Sequence, residues 1–242
     1  MMPYPLLEAE MSTLLVQLAT ILTTACLLLI WRVWMVLPYR KKRRHPGTNA
    51  ARLHPVREAA SEVVLPHKTV NTLVVLGSGG HTSEMLKLTA HLSPEVYTPL
   101  CYVVASSDHT SAKRIPEDGL RSGRCRIIKI PRSREVGQSY VTSLWTTLVA
   151  GLYAAAMVAR IGPDLVLVNG PGTCIPVCLV AFALRVLGLR PKSRTVFCES
   201  FCRVKSLSLS GRIMYLLADR FVVHWPELLE RYPRAEYIGQ LM

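Results

Sequence analysis

The hydrophobic pattern divides this 242-residue chain into stretches of different character. Residues 11–37 are almost continuously apolar and carry one charge, Arg32. Residues 38–69 are basic, then mixed, and follow no regular period. From 70 to 242, short β-branched runs alternate with longer helix-like stretches. The pattern predicts a short N-terminal segment (1–10), a membrane anchor (11–37), a linker (38–69) and one folded body (70–242).

The body has the alternation of strands and helices that is typical of α/β proteins. Its predicted strands are Thr72–Leu76, Thr98–Ala105, Cys125–Ile130, Asp164–Val168, Thr195–Cys198, Arg220–His224 and Glu236–Ile238. The predicted helices between them are His81–Leu92, Gln138–Arg160, Ile175–Leu187, Leu207–Ala218 and Pro226–Arg231. Strongly apolar strands separated by helices favour a mostly parallel sheet that is covered on both faces. We therefore expect a single Rossmann-like domain behind an N-terminal transmembrane helix.

The apolar segment 11–37 is long enough to cross a bilayer, which takes roughly 20 residues. Trp31 and Trp34 near its end fit the aromatic belt at a membrane interface. Five consecutive cations follow at 40–44, whereas a cleavable signal peptide carries its charges before the apolar core. We expect an uncleaved, single-pass anchor. The positive-inside rule then places the N-terminus in the lumen and the body in the cytosol.

A second apolar stretch, Gln138–Ala159, has no charged residue and could be another span. It also contains several Ser and Thr residues and lies inside the strand–helix alternation. These features favour a buried helix or one at the membrane surface.

The charge and the cysteine spacing limit which ligands and metal sites we expect in this chain. The chain has a net charge of +13, and its body from Val70 holds 20 basic and 12 acidic residues, which suits a phosphate-bearing ligand. No RNA or DNA motif accompanies the charge, so we expect no nucleic-acid partner. Cys174, Cys178, Cys198 and Cys202 are spaced C-x3-C twice, which does not match usual zinc sites. We expect free thiols, no metal and no cofactor.

The first candidate site is a glycine loop between a predicted strand and a predicted helix. It reads Gly77-Ser78-Gly79-Gly80 and leads into His81 and Thr82. Backbone N–H groups at a helix start form an anion site, so the loop favours a bound phosphate.

A dinucleotide motif is the obvious alternative for this loop, but it fits poorly. The motif G-x-G-x-x-G fails at its third glycine, where Thr82 stands, and the expected acidic residue, Asp108, comes late. A membrane-tethered nicotinamide oxidoreductase is therefore a weak alternative. The chain has no ATP-type phosphate loop and no D-x-D metal motif.

Two further groups follow other predicted strands. A second glycine loop carries Gly170 and Gly172, and Glu199 follows the strand at 195–198. In parallel sheets the carboxyl ends of strands share the edge where ligands bind. The two loops are predicted to clasp a diphosphate, with Glu199 as a candidate functional carboxylate.

Five stretches together resemble the asparagine-linked glycosylation protein fourteen family, over about 69–242. They read GSGGHTSEM, PRSREVGQSY, PDLVLVNGPGTCIP, FCESFCRVKSLSLSG and ADRFVVHWPELLERYP. The arrangement also resembles the acceptor half of the bacterial transferase that completes lipid II. The resemblance implies one half of a GT-B glycosyltransferase.

It further implies a function in the endoplasmic reticulum membrane. The family anchors a two-part transferase that moves N-acetylglucosamine from UDP-N-acetylglucosamine to N-acetylglucosaminyl-diphosphodolichol. A soluble partner carries the UDP-sugar site. About 173 residues after the linker amount to one domain, so we expect the donor half to be another polypeptide. The alternative within this class is a self-sufficient membrane glycosyltransferase.

The site residues follow from the resemblance together with the loops. Gly77, Ser78, Gly79, Gly80, Thr82, Gly170 and Gly172 are expected at the acceptor diphosphate. An inverting transfer needs one general base, and His81 and Glu199 both remain candidates; His81 could instead bind the diphosphate. Partner docking is expected at the C-terminus, through Tyr237, Ile238, Leu241 and Met242.

Overall fold

The computed structural model describes residues 4–38, 69–133, 138–170, 173–237 and 239. The chain divides into two compact units, residues 1–37 and 38–242. The predicted linker lies almost wholly outside the described residues, so its character stays a prediction.

The first unit is one long helix, α1 (Tyr4–Val36), which begins earlier than the predicted anchor. Its stretch Glu10–Val36 has the length and composition of a membrane-spanning helix, and none of its most apolar window is buried by protein. The hydroxyls of Thr20, Thr23 and Thr24 donate to carbonyl oxygens three or four residues earlier. These bonds satisfy the hydroxyls inside the helix, as apolar surroundings require.

The second unit is built on a seven-stranded sheet in which every pair of neighbours is parallel. The strand order is β3-β2-β1-β4-β5-β6-β7. The strands are β1 Thr72–Val75, β2 Leu100–Ala105, β3 Cys125–Ile130, β4 Leu165–Asn169, β5 Arg194–Cys198, β6 Arg220–Val223 and β7 Glu236–Tyr237. The predicted parallel α/β sheet is confirmed, with strand ends within two residues of expectation.

Helices cover both faces of the sheet. They are α2 Gly80–Ala90, α3 His109–Lys113, α4 Glu117–Arg121, α5 Tyr140–Ile161, α6 Cys174–Val186, α7 Leu209–Leu217 and α8 Leu228–Arg231. The sequence pattern missed α3 and α4, because a helix of five residues is too short to show an apolar period.

Side chains of the central strand alternate between two cores. Leu73 and Val75 of β1 belong to the larger cluster, with residues of α5, α6 and α7. Val74 and Leu76 belong to the smaller cluster, with Met85 of α2. Burial on both faces explains why the strands read as continuous apolar runs.

Helix α5 packs against the core of this domain through one of its sides. Ala150, Ala154, Met157 and Val158 on one of its sides are buried, and the last three belong to the larger core cluster. Because the helix also connects two strands of the same sheet, β3 and β4, this packing contradicts a second membrane span over Gln138–Ala159.

The cysteines are free thiols, as predicted. Cys174, Cys178 and Cys198 are buried, and burial raises the pKa of both Cys174 and Cys198 to about 12. Cys202 is the exception in that group, because it is exposed.

Candidate functional site

The strand order reverses between β1 and β4, which lie side by side in the centre of the sheet. Their register pairs Val75 with Val168, so the chain leaves both strands at the same place on the carboxyl edge. A crevice at such a switch point is where doubly wound sheets bind ligands. The structure therefore brings together the loop at 77–80 and Gly170, as predicted; Gly172 lies outside the described residues.

His81 occupies the space between these two loops. A Cβ atom added to Gly170 would lie 2.7 Å from His81 Cγ, and one added to Gly77 would lie 2.8 Å from His81 Cβ. Gly170 also has a φ of +91°, which L side chains rarely adopt. These two glycines make room for the His81 side chain, and their predicted contact with a diphosphate stays a prediction.

One ring nitrogen of His81 is held from inside the protein. Its Nδ1 lies 2.9 Å from Asn169 Oδ1 and 3.5 Å from Glu84 Oε2. Asn169 Nδ2 donates to Glu84 Oε2 at 2.6 Å, which fixes the amide with its oxygen towards the histidine. Both neighbours of Nδ1 are acceptors, so the neutral ring carries its proton on Nδ1 and a lone pair on Nε2.

The Nε2 atom has no hydrogen-bond partner among the described residues, and the His81 side chain is 26% exposed. A histidine fixed at Nδ1 by a carboxylate and open at Nε2 can accept a proton there. When protonated, it can donate to an anion.

Glu84 connects three parts of the site. Its side chain, 8% exposed, accepts hydrogen bonds from Asn169 at the end of β4 and from Ser200 after β5, the latter at 3.3 Å. A buried carboxylate is costly unless it is paired, and these partners supply the pairing.

His81 and Glu84 shift each other's pKa values. The hydrogen bond to Glu84 raises the pKa of His81; burial opposes this, and the charge of Glu84 and the bond to Asn169 add to it. Burial alone would raise the pKa of Glu84, but the bonds from His81 and Asn169 outweigh it and lower that pKa. The pair therefore favours an imidazolium beside a carboxylate.

Glu199 lies in a different environment from His81. It is 1% exposed, and its carboxylate accepts from the backbone N–H of Ser200 and of Ser208, both at 3.0 Å. Ser208 is the N-cap of α7, so the carboxylate is held at a helix start. A Cβ on Gly211 would lie only 2.0 Å from Glu199 Oε2. This geometry favours a structural role and disfavours Glu199 as the base.

Thr82, predicted at the acceptor diphosphate, has its side chain engaged within the protein, and its role at the diphosphate stays a prediction. Its side chain is fully buried, and its hydroxyl donates to the carbonyl oxygen of Gly77 and lies 2.6 Å from Ser111 Oγ. Ser111 in turn donates to Asp108. Thr82 thus stabilises the conformation of the glycine loop from its buried side.

Asp108 also has a structural explanation. It caps α3 by accepting from the backbone N–H groups of Thr110 and Ser111. Its carboxylate is buried among these donors, which argues against the ribose contact that a nicotinamide enzyme would need.

The open part of the first loop is Ser78, Gly79 and Gly80, all exposed. A Cβ on either glycine would meet no other described atom within 4 Å, and Gly79 has a φ of +65°. No side chain caps the start of α2, so its first N–H groups face this opening. Arg114 lies beside it and donates to Gly79 O at 3.3 Å and Ser83 Oγ at 3.1 Å.

At the C-terminus, Tyr237 ends the described strand β7 and packs in part against the larger core cluster. Ile238, Leu241 and Met242 lie outside the described residues. Partner docking through these four residues stays a prediction.

Sequence reasoning missed Glu84 and Asn169. The spacing of Glu84 from His81, three residues within a helix, is a signal that could have indicated contact. Asn169 offered no such signal, because its contact depends on β4 lying next to β1.

A doubly wound parallel sheet, with an open glycine loop and an oriented histidine at its switch point, defines a Rossmann-like ligand-binding domain. The chain belongs to the Alg14 family. The family model described as "Oligosaccharide biosynthesis protein Alg14 like" matches residues 72–241.

Several relatives share the name "UDP-N-acetylglucosamine transferase subunit ALG14". The rat protein is 42% identical over 226 residues, covering 89% of this chain and 93% of its own length. The human protein is 44% identical over 74% of this chain and 86% of its own. The Schizosaccharomyces pombe protein is 44% identical over 69% of this chain and 81% of its own.

Two solved structures are less similar to this chain than these relatives are. Acinetobacter baumannii MurG has a TM-score of 0.46 and 14% identity, and the match covers 64% of this chain and 41% of MurG. LpCGTa in complex with UDP has a TM-score of 0.45 and 11% identity, covering 72% of this chain and 53% of that one.

The contact between Gly170 and His81 predicts the effect of a single methyl group. Gly170→Ala should push the imidazole from its place and strain the backbone, costing about 1–3 kcal/mol of stability. It should also reduce any activity that needs His81. Gly151→Ala is the control, since a Cβ there meets nothing within 4 Å and alanine favours a helix. Thermal unfolding and turnover of both variants test this; an unchanged Gly170→Ala protein contradicts the packing.

Proposed function

We propose that this chain is the membrane-anchoring and acceptor-binding subunit of a two-part UDP-N-acetylglucosamine transferase. The complex adds the second N-acetylglucosamine to N-acetylglucosaminyl-diphosphodolichol during synthesis of the lipid-linked precursor for protein N-glycosylation. The chain alone is inactive and needs a soluble partner that binds the UDP-sugar.

The observation that carries the proposal is the oriented His81 at the open crevice of a single Rossmann-like domain. Family membership gives this geometry its context, because the relatives are named as transferase subunits. One domain offers one wall of a cleft, and a GT-B reaction takes place between two walls.

The acceptor diphosphate binds at the open loop, to backbone N–H groups of Ser78, Gly79 and Gly80. This placement is supported by the uncapped start of α2 and by the empty space at both glycines. Gly172 completes the site from the second loop. Gly77 and Gly170 act indirectly, since they shape the space that His81 fills.

In the transfer step a hydroxyl oxygen of the acceptor sugar attacks C1 of the UDP-bound sugar. The bond from C1 to the phosphate oxygen breaks, and UDP leaves with the electron pair. The hydroxyl proton must go to a base. His81 Nε2 suits this role because Nδ1 is held by Asn169 and Glu84, which leaves the Nε2 lone pair facing the crevice.

The raised pKa of His81 also supports a second role for the same nitrogen. As an imidazolium, Nε2–H would donate to a diphosphate oxygen and stabilise its charge. The two roles require opposite protonation states, so pH separates them.

The chain is proposed to reside in the endoplasmic reticulum membrane with its N-terminus in the lumen and its body in the cytosol. The apolar helix α1 and the cations that follow it support this arrangement. A tethered body searches for a membrane-bound substrate in a confined volume, which raises the effective concentration. The partner docks at the C-terminus, through Tyr237, Ile238, Leu241 and Met242.

The direct test is His81→Ala, assayed for both partner binding and turnover. Loss of a general base typically costs 10²- to 10⁴-fold in rate, so turnover should fall by that amount while the partner still co-purifies. His91→Ala, an exposed histidine at the other end of α2, is the matched control. Unchanged turnover in an intact His81→Ala complex would exclude the catalytic role.

The pH dependence of activity should follow the titration of His81, whose pKa depends on Glu84. If Nε2 is the base, activity rises as pH increases through the His81 pKa, because the base must be neutral. If the imidazolium holds the diphosphate, activity falls through the same pKa. In either case Glu84→Gln removes the charge that raises this pKa, so the inflection moves to lower pH. An inflection that stays in place would show that the titrating group is not His81; exposed Glu117→Gln is the control.

The partner should be lost when the C-terminus is removed. Deletion of residues 237–242 should release the soluble partner from solubilised membranes in a pull-down. Because Tyr237 packs against the core, a shorter deletion of 239–242 keeps β7 intact and separates docking from folding. Recovery of the partner with both truncated chains would refute this docking site.

A further inference from the structure

The outer side of α5 is apolar, although it faces away from the protein. Trp145 is 69% exposed and Leu152 is 66% exposed. At 100° per residue, seven of the exposed side chains form one uncharged stripe along the helix, and exposed Thr142, Tyr153 and Arg160 lie on its flank. The stripe consists of Val141, Leu144, Trp145, Leu148, Leu152, Ala156 and Ala159.

Three of the four Ser and Thr residues of α5 lie on the other side, and Thr142 is the exposed exception. Ser143 is buried, and the hydroxyls of Thr146 and Thr147 both donate to the carbonyl oxygen of Ser133, at 2.6 and 3.2 Å. The usual pattern of a surface helix is therefore largely inverted over its first two turns, with three hydroxyls facing the protein and large apolar side chains facing out. Scattered exposed apolar residues need no explanation, but an unbroken stripe of this kind marks a contact surface.

The stripe cannot belong to a helix that crosses a bilayer, because the other side of α5 is packed in the core. It spans residues 141–159, about 27 Å at the rise of an α-helix. A helix with one packed side and one long apolar side can lie in the plane of a membrane interface.

The surroundings of the stripe indicate what covers it. Helix α5 has no acidic residue, and its flank carries exposed Arg160 and the amphipathic ring of Tyr153. Arg126 is exposed on β3 and lies on the same sheet face as Ile128 and Ile130, which belong to or pack against the core cluster that α5 shares. Cations and interfacial aromatics around an apolar surface match anionic headgroups above acyl chains. The same chain carries α1, which keeps its body close to a bilayer.

We propose that the outer face of α5 is a second membrane contact, which inserts Val141, Leu144, Trp145, Leu148 and Leu152 into the lipid interface. The domain then rests on the bilayer in a defined orientation, in addition to being tethered by α1. This inference does not rest on the transferase activity.

The contact would also set the height of the crevice. Helix α5 starts after the carboxyl end of β3, so the Val141 end of the stripe lies at the same sheet edge as the glycine loops. Insertion along α5 therefore holds that edge at the headgroup level, where the diphosphate of a membrane-embedded lipid is found.

Trp145 itself is the probe for this contact. The full-length chain is reconstituted in nanodiscs of phosphatidylcholine and phosphatidylserine with brominated acyl chains, and its emission is compared with that of Trp145→Phe. The difference reports Trp145 alone, apart from the other three tryptophans. Bromine should remove most of this component, whereas aqueous iodide should leave it nearly unchanged.

The double variant Leu148→Glu with Leu152→Glu should reverse both results, because two carboxylates oppose insertion. Val96→Glu, at an exposed apolar residue in the turn between α2 and β2 and outside α5, should change neither. Far-ultraviolet circular dichroism checks the fold of each variant. If the Trp145 component of the unaltered chain is quenched by iodide and not by bromine, the stripe lies in water or against a protein, and the proposal is overturned.

Discussion

The site depends on one buried carboxylate. Glu84 lies on α2, yet its partners come from the ends of β4 and β5. Leaving a buried charge without a partner costs about 3–5 kcal/mol, so the three elements must meet in one arrangement. The same arrangement fixes the amide of Asn169, and through it the imidazole of His81. The position of His81 at the crevice is thus a consequence of pairing the buried charge of Glu84.

Because His81 is fixed in this way, the glycines around it serve two different purposes. Gly77 and Gly170 are small because the histidine ring needs their space, whereas Gly79 and Gly80 leave the start of α2 open. His81 is therefore held by protein groups at Nδ1, while its side chain stays 26% exposed. An open nitrogen on a single wall suits a reaction that a second polypeptide completes, and the apolar face of α5 suits a substrate that stays in the membrane.

The sequence predicted the parallel sheet and the meeting of the two loops, because strand–helix alternation and glycine turns are local signals. It did not predict which side chains face the crevice. Glu199 and Thr82 follow the right strands but point into hydrogen-bond networks that only tertiary packing defines. The contact of Asn169 with His81 could not be predicted for the same reason. The inverted polarity of α5 also became visible only once its packed side was known.

The site depends on His81 being held at Nδ1 by Asn169 and Glu84, with no partner at Nε2 among the described residues. Nitrogen-15 NMR of the histidine rings in the full-length chain, assigned by comparison with a variant that lacks His81, tests this directly. We expect the neutral ring to carry its proton on Nδ1, and its pKa to lie above the ordinary histidine value and to fall when Glu84 loses its charge. A neutral ring protonated at Nε2, with an ordinary pKa that does not respond to Glu84, would contradict it.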